Sequence, residues 1–103
     1  MKIIHDGETL RVSALTELAA SNSGAFHSKL AAALTPKLNE IEIDLSDTHF
    51  LDCGGVGALV ALRRSACSRN ANVAIRLLNP TASARRIFEL TRMDLLFPIE
   101  AGA

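Results

Sequence analysis

Hydrophobic and polar positions change their period several times along the chain, and the changes mark the elements. Met1 to His5 is a short apolar start, and Asp6-Gly7 is a turn signal. Glu8 to Ser13 then alternates, with Leu10 and Val12 on one face. This pattern predicts two strands joined by a tight turn. Phe26, Leu30, Ala33 and Leu34 recur at helical spacing and predict a helix over 21–34, with Ser21 or Asn22 as its N-cap and Pro36 and Asn39 beyond its end. Ile41-Glu42-Ile43-Asp44-Leu45 alternates strictly and is the clearest strand. Ser46 to His49 forms a polar corner, and Phe50-Leu51 is apolar again before Asp52-Cys53-Gly54-Gly55. A helix is predicted over 56–68, with Val56, Leu59, Val60 and Cys67 toward the core and Arg63 and Arg64 toward solvent. Asn70 is the expected left-handed residue at its end. Val73 to Leu78 reads as a strand. Asn79-Pro80 opens a third helix with Pro in its first turn, and Ala84, Ile87, Phe88 and Thr91 share one face of it. Asp94 to Ile99 is a short apolar closing segment, followed by a tail over 100–103.

The order β-β-α-β-α-β-α implies right-handed crossovers and parallel pairing. The strict alternation in 41–45 predicts a sheet covered by helices on one face and partly open on the other. The expected architecture is a single α/β domain over 1–103, with a mixed, mostly parallel sheet of four to five strands.

Composition narrows the function. The chain has 103 residues, 49% of them hydrophobic, enough for one domain with a sizeable core. Eleven basic residues balance eleven acidic ones, and there are four Phe with no Trp or Tyr. The chain lacks both the basic block that holds a phosphate backbone and the exposed rings on which bases stack, so no nucleic-acid partner is expected. No apolar run approaches the ~20 residues of a membrane span, and the N-terminus turns polar too early for a secretory signal. A cytoplasmic protein without membrane insertion is the expectation. Cys53 and Cys67 are placed near opposite ends of one helical stretch, about 21 Å apart at ~1.5 Å rise per residue, too far for a disulfide. His5, His27 and His49 lack metal-ligand spacing, and Gly54-Gly55-x-Gly57 lacks the ending of a phosphate loop. Neither a metal nor a cofactor is expected.

In parallel sheets function gathers at the carboxyl ends of the strands. Three loops should meet there: 14–16, 47–52 and 78–80. Asp52 is suited to cap the free amides of the following helix. Gly54 and Gly55 bring no side chain, which suits either a tight strand-to-helix corner or close approach by a partner. On the second reading, a bulky residue at either position leaves the fold largely intact and abolishes partner binding.

Residues 41–64, IEIDLSDTHFLDCGGVGALVALRR, resemble the central segment of STAS domains, the modules named for sulphate transporters and anti-sigma factor antagonists. The later stretches VAIRLLNP (73–80) and ARRIFELTRMDLLF (84–97) follow in the family's order, so the resemblance covers about 8–99. It implies a bacterial protein-binding module without enzymatic activity. In the antagonist branch the helix opens Asp-Ser-Ser-Gly or Asp-Ser-x-Gly. A partner kinase, itself the anti-sigma factor, phosphorylates the serine after the aspartate. The added charge of about −1.5 to −2 then disrupts docking. Here that position is Cys53 and the next is Gly54, so a serine kinase finds no acceptor. The acidic residue of the family's Gly-x-Leu-Asp is replaced by Thr16. The phospho-switch is therefore expected to be absent, although Ser46 and Thr48 lie nearby.

The expected docking surface is Thr16, Thr48, His49, Asp52, Cys53, Gly54, Gly55 and Val56. The leading partner is an anti-sigma factor or serine-kinase-type ATPase. The alternative is the ATPase of a lipid-trafficking ABC transporter, whose stand-alone STAS subunits often carry Thr at the phosphoserine position. In a third reading Cys53 is a redox sensor, because a thiol at a helix N-terminus can be pushed toward thiolate. Against it stands the expectation that Cys53 is a buried, inert replacement for serine. A homo-oligomer stays open.

Overall fold

The computed structural model describes residues 1–100. Seven strands, three α-helices and one 3-10 turn occur in the order β1 (Lys2–Asp6), β2 (Thr9–Ser13), β3 (Glu17–Leu18), α1 (Ser23–Ala33), β4 (Glu40–Asp44), β5 (Phe50–Leu51), α2 (Cys53–Arg69), β6 (Ala74–Leu78), α3 (Ala82–Thr91), a 3-10 turn at Met93–Leu95, and β7 (Ile99–Glu100). The tail expected over 100–103 lies, beyond Glu100, outside the described residues.

Asp6-Gly7 makes the first turn as expected, with Gly7 at φ +64°, where a side chain would be strained. β1 and β2 pair antiparallel, and β2, β4, β6 and β7 follow in parallel, giving the order β1-β2-β4-β6-β7. Each crossover from β2 onward steps the same way across the sheet, so right-handed connections place α1, α2 and α3 on one face. Alternation sorts the side chains. Leu10, Val12, Ile41, Ile43, Ile75 and Leu77 point under the helices and are buried. Burying a side chain of this size contributes about 1.5–3 kcal/mol.

The other face carries charge. In register, Arg11 faces Glu42 and Glu42 faces Arg76. Arg76 Nη1 reaches Glu40 at 2.5 Å and Glu42 at 2.9 Å, and its Nε pairs with Glu100. Arg11 bridges Asp6 and Glu42. Its hydrogen bond from Arg76 holds the Glu100 carboxyl below the ordinary glutamate range. These ladders fix the strand register with cross-strand pairs and leave few unmatched charges on the open face.

Several boundaries differ from the sequence reading, each for a visible reason. Asn70 is extended, at φ −149°, rather than left-handed. It ends α2 through its side chain, donating to the Leu38 carbonyl at 2.9 Å and accepting from the Asn72 amide at 3.0 Å. α3 starts after Thr81, whose hydroxyl accepts from the Ala84 amide, so Pro80 precedes the cap rather than filling the first turn. Asn22 occupies the N-cap of α1 without a side-chain cap bond. Its Oδ1 instead accepts from the Ala19 amide at 2.7 Å. α2 buries Gly55, Ala58, Leu59, Leu62 and Ala66, whereas Val56, Val60 and Cys67 are only part-buried.

Ala14, between β2 and β3, sits at φ +54°. A non-glycine residue there costs about 1–2 kcal/mol, partly offset on replacement by the greater freedom glycine has when unfolded. Ala14→Gly is expected to raise stability by about 0.5–1 kcal/mol in urea denaturation. No gain would show that the kink carries no strain.

Candidate functional site

The site stands where the main sheet ends. Past the Ala14 kink the chain runs on as β3, and past the corner at 46–49 it runs on as β5. β3 and β5 pair in parallel as a separate two-stranded sheet, Glu17 beside Phe50 and Leu18 beside Leu51. The three loops expected to meet do meet. The His49 amide donates to the Thr16 carbonyl at 2.9 Å, the Thr48 hydroxyl to the Leu15 carbonyl at 2.6 Å, and the Thr81 hydroxyl to the Thr48 carbonyl at 2.8 Å.

α2 begins directly from β5. Asp52 is its N-cap, with Oδ1 accepting from the Gly55 amide at 3.1 Å and from the Ala20 amide at 3.1 Å. One carboxylate thus satisfies a free amide of the helix and ties down the 17–20 loop. Asn22 holds the other end of that loop, donating to the Glu17 carbonyl at 2.9 Å.

The two glycines have an internal reason. A Cβ on Gly55 would stand 2.1 Å from the Leu18 carbonyl oxygen, and one on Gly54 would stand 2.5 Å from Ala20 Cα. The chain's own β3 loop occupies the space that the sequence left open for a partner, so the expectation that bulky residues are tolerated there is corrected. Gly57, one turn on, meets nothing within 4 Å.

The expected surface residues therefore divide. Cys53, Thr16 and His49 are exposed. Asp52, Gly54 and Val56 are part-buried, and Gly55 is buried. Thr48 is also buried, with its hydroxyl committed to Leu15. It braces the loops and does not offer a side chain to solvent, against the expectation that it lines the surface. Cys53 reverses the expected burial as well: it opens α2 with its thiol exposed and free. Among the described residues no side chain hydrogen-bonds to its sulfur, and no His, Cys, Asp and Glu cluster could hold a metal.

Sequence reading passed over two contributors. Phe50 is 52% exposed on β5, beside the cap of α2. Its signal was the dipeptide Phe50-Leu51 itself, in which a strand turns one side chain in and the other out. Ala20 is exposed and lies against Gly54, and nothing in its local sequence marks it. The resulting surface is a shallow apolar and thiol-bearing rim around a rigid helix start.

Comparison with known proteins agrees with this architecture. Residues 1–98 match the family model described as "Mlab, STAS domain". No curated protein sequence matches. Among solved structures, a candidate anti-sigma factor antagonist of Thermotoga maritima is similar with a TM-score of 0.84 at 22% identity, over 96% of this chain and 84% of that one. An anti-sigma-factor antagonist (STAS) domain protein of Planctomyces limnophilus gives 0.78 at 16% identity, over 99% and 90%. The unphosphorylated anti-sigma factor antagonist SpoIIAA gives 0.77 at 18%, over 99% and 87%. At these identities the structures speak for the fold, while the family model spans nearly all of the chain: the chain belongs to the STAS family.

Proposed function

We propose that this protein is a docking module, not an enzyme, which binds a partner ATPase through the start of α2 and lacks the serine phospho-switch. The observation that carries the reading is the exposed Cys53 at the first position of α2, held on a frame that Asp52 ties to the β3 loop. A rigid, preorganised surface loses little conformational freedom on binding. Cys53, Thr16, His49 and Phe50 form its contact rim; Asp52, Thr48, Gly54 and Gly55 shape it from beneath, and Val56 lies one turn into the helix. The structural neighbours favour an anti-sigma factor or serine-kinase-type ATPase as the partner. A second reading, the ATPase of a lipid-trafficking transporter, is favoured by the family model, which carries the Mlab description.

The test is affinity capture from the native host with mass spectrometry of the bound proteins, followed by a kinase assay with the captured partner. A kinase-type ATPase in the eluate supports the first reading and a transporter ATPase the second. Wild-type protein is expected to take no phosphate at position 53. Cys53→Ser restores an acceptor hydroxyl at an exposed helix start, so a kinase-type partner is expected to phosphorylate it while a transporter ATPase leaves it unmodified. Capture of neither class, with the protein intact, would refute the docking reading.

A further inference from the structure

On one side the main sheet ends in an exposed strand. β1 is the outermost strand of the order β1-β2-β4-β6-β7. Of its five residues only Ile3 is part-buried, and Ile4 is 42% exposed. The register tells which backbone groups point outward. The Glu8 carbonyl accepts from the Asn39 amide at 2.9 Å, so the backbone groups of Glu8, Leu10 and Val12 face β4 and those of Thr9, Arg11 and Ser13 face β1. Across the hairpin these three stand opposite Asp6, Ile4 and Lys2. The amides and carbonyls of Ile3 and His5 are left pointing away from the sheet.

Such an edge is a template for another strand, and proteins commonly blunt it with a proline, a bulge or repelling charge. β1 has no proline, and its five consecutive pairs with β2 leave no bulge. Its charges are of both signs. Residues directly opposite one another share a face, so Ile3 and His5 lie with the buried Val12 and Leu10, while Lys2, Ile4 and Asp6 lie on the open face with Arg11. That face therefore reads basic, apolar, acidic along the strand. Lys2 is exposed and joins no ion pair among the described residues. Asp6 meets Arg11 through Oδ2 at 3.3 Å, which leaves Oδ1 open to a second cation.

We propose that β1 pairs with β1 of a second copy of this chain, antiparallel about a two-fold axis at Ile4, and joins the two five-stranded sheets into one. The backbone selects the register. The outward groups of Ile3 must meet those of His5 of the second copy, and the reverse, which closes both hydrogen-bonded pairs. Ile4 then lies opposite Ile4, and Lys2 of each copy lies opposite Asp6 of the other. A slip of one residue sets outward groups against inward ones. A slip of two in either direction sets Ile4 against Lys2 or against Asp6 and loses both ion pairs. Charge complementarity thus names the occupant: the order basic, apolar, acidic is its own complement when the strand is reversed, and a second copy brings it. The contact is short and falls below the ~1,200 Å² of a stable complex, so the dimer is weak, with a dissociation constant on the order of 100 μM. The axis stands normal to the sheet. Both helix layers therefore lie on one side, and the two starts of α2 face opposite ends of the joined sheet.

The test is sedimentation velocity of the full chain from about 10 μM to about 1 mM, where a monomer–dimer equilibrium is expected. His5→Pro removes an outward donor and costs no β1–β2 bond, and it should weaken the dimer at least tenfold. Lys2→Glu and Asp6→Lys each set like charges opposite and should do the same. An equimolar mixture of these two variants should recover association near that of the wild type, because the altered chains meet with opposite charges at both ends; a folding fault would not be repaired in this way. Cys53→Glu should dimerise as the wild type does, which separates this face from the α2 site. In a Cys53→Ser background, Ile4→Cys is expected to crosslink between copies on oxidation with copper phenanthroline. Lys2→Cys is not, since its two copies stand about 14 Å apart at ~3.4 Å per residue. A chain that stays monomeric at about 1 mM would leave the edge to a strand of another protein and overturn the proposal. So would a dimer indifferent to His5→Pro, a mixture that does not recover, or crosslinking at position 2 and not at position 4.

Discussion

Gly55→Ala is expected to cost at least about 3 kcal/mol, while Gly57→Ala, two residues along the same helix, is expected to stabilise the protein by about 0.5–1 kcal/mol. The two substitutions add the same methyl group, and helix propensity favours alanine at both. What differs is the space. At Gly57 the new Cβ meets nothing within 4 Å; at Gly55 it falls 2.1 Å from the Leu18 carbonyl oxygen and 2.8 Å from the Leu18 carbonyl carbon. Those are backbone atoms in β3, whose place is set by pairing with β5, so the clash cannot be relieved by turning a side chain. Overpacking typically costs about 1–3 kcal/mol. Here relief must also part the β3 loop from α2, where Asp52 accepts from Ala20, so the upper end or beyond is expected. At ~4–8 °C per kcal/mol for a domain near this size, the melting temperature should drop by about 12 °C or more. Gly54→Ala should fall between the two, because the Ala20 backbone it meets lies on the exposed part of the loop. Thermal melts of the three variants check the order. A Gly55→Ala protein as stable as Gly57→Ala would mean that the close approach of β3 to α2 is not a feature of the folded chain.

Side-chain patterns carried the main sheet. The alternation at 41–45 announced both the buried row, Ile41 and Ile43, and the open charged row, Glu42 and Asp44, which the structure places on opposite faces of β4. The meeting of the three loops followed from topology. The β3–β5 sheet was not legible, because two-residue strands carry no period, and the kink before β3 uses Ala14 where a glycine would have announced the left-handed turn. The core face of α2 was shifted for a related reason. The residues it buries are Gly55, Ala58 and Ala66 together with Leu59 and Leu62, and hydrophobicity weighs alanine and glycine lightly although their smallness is what lets backbones approach, as Gly55 does to Leu18. Asn70 was recognised as a stop but assigned the wrong mechanism, since sequence does not say whether an asparagine ends a helix with its backbone or with its side-chain amide. Within the site, residue type marked the corner correctly and misjudged accessibility. Thr48, Gly54 and Gly55 serve the chain's own loops, and Cys53 is left to face outward.

Cys53→Glu is expected to weaken partner binding by more than a hundredfold and to leave stability unchanged or slightly raised. The two effects come from the same charge. Position 53 is the first residue of α2, where the free amides and the helix dipole favour an acidic side chain by about 0.3–1 kcal/mol. The side chain points to solvent, so the longer glutamate meets no core atom and is not desolvated in the free protein. Docking changes that balance. A carboxylate beside Asp52, whose oxygens are already committed to the Gly55 and Ala20 amides, would be carried into a surface shaped to receive a thiol. An unmatched charge at an interface costs several kcal/mol, and about 2.7 kcal/mol already corresponds to a hundredfold. Cys53→Ser changes neither charge nor size appreciably and should keep binding within a few fold. Calorimetric titration of the captured ATPase with the two variants, alongside urea denaturation of each, separates the outcomes. Near-native affinity for Cys53→Glu would move the docking surface away from the start of α2. Loss of affinity together with loss of stability would point to a structural fault and not to a contact.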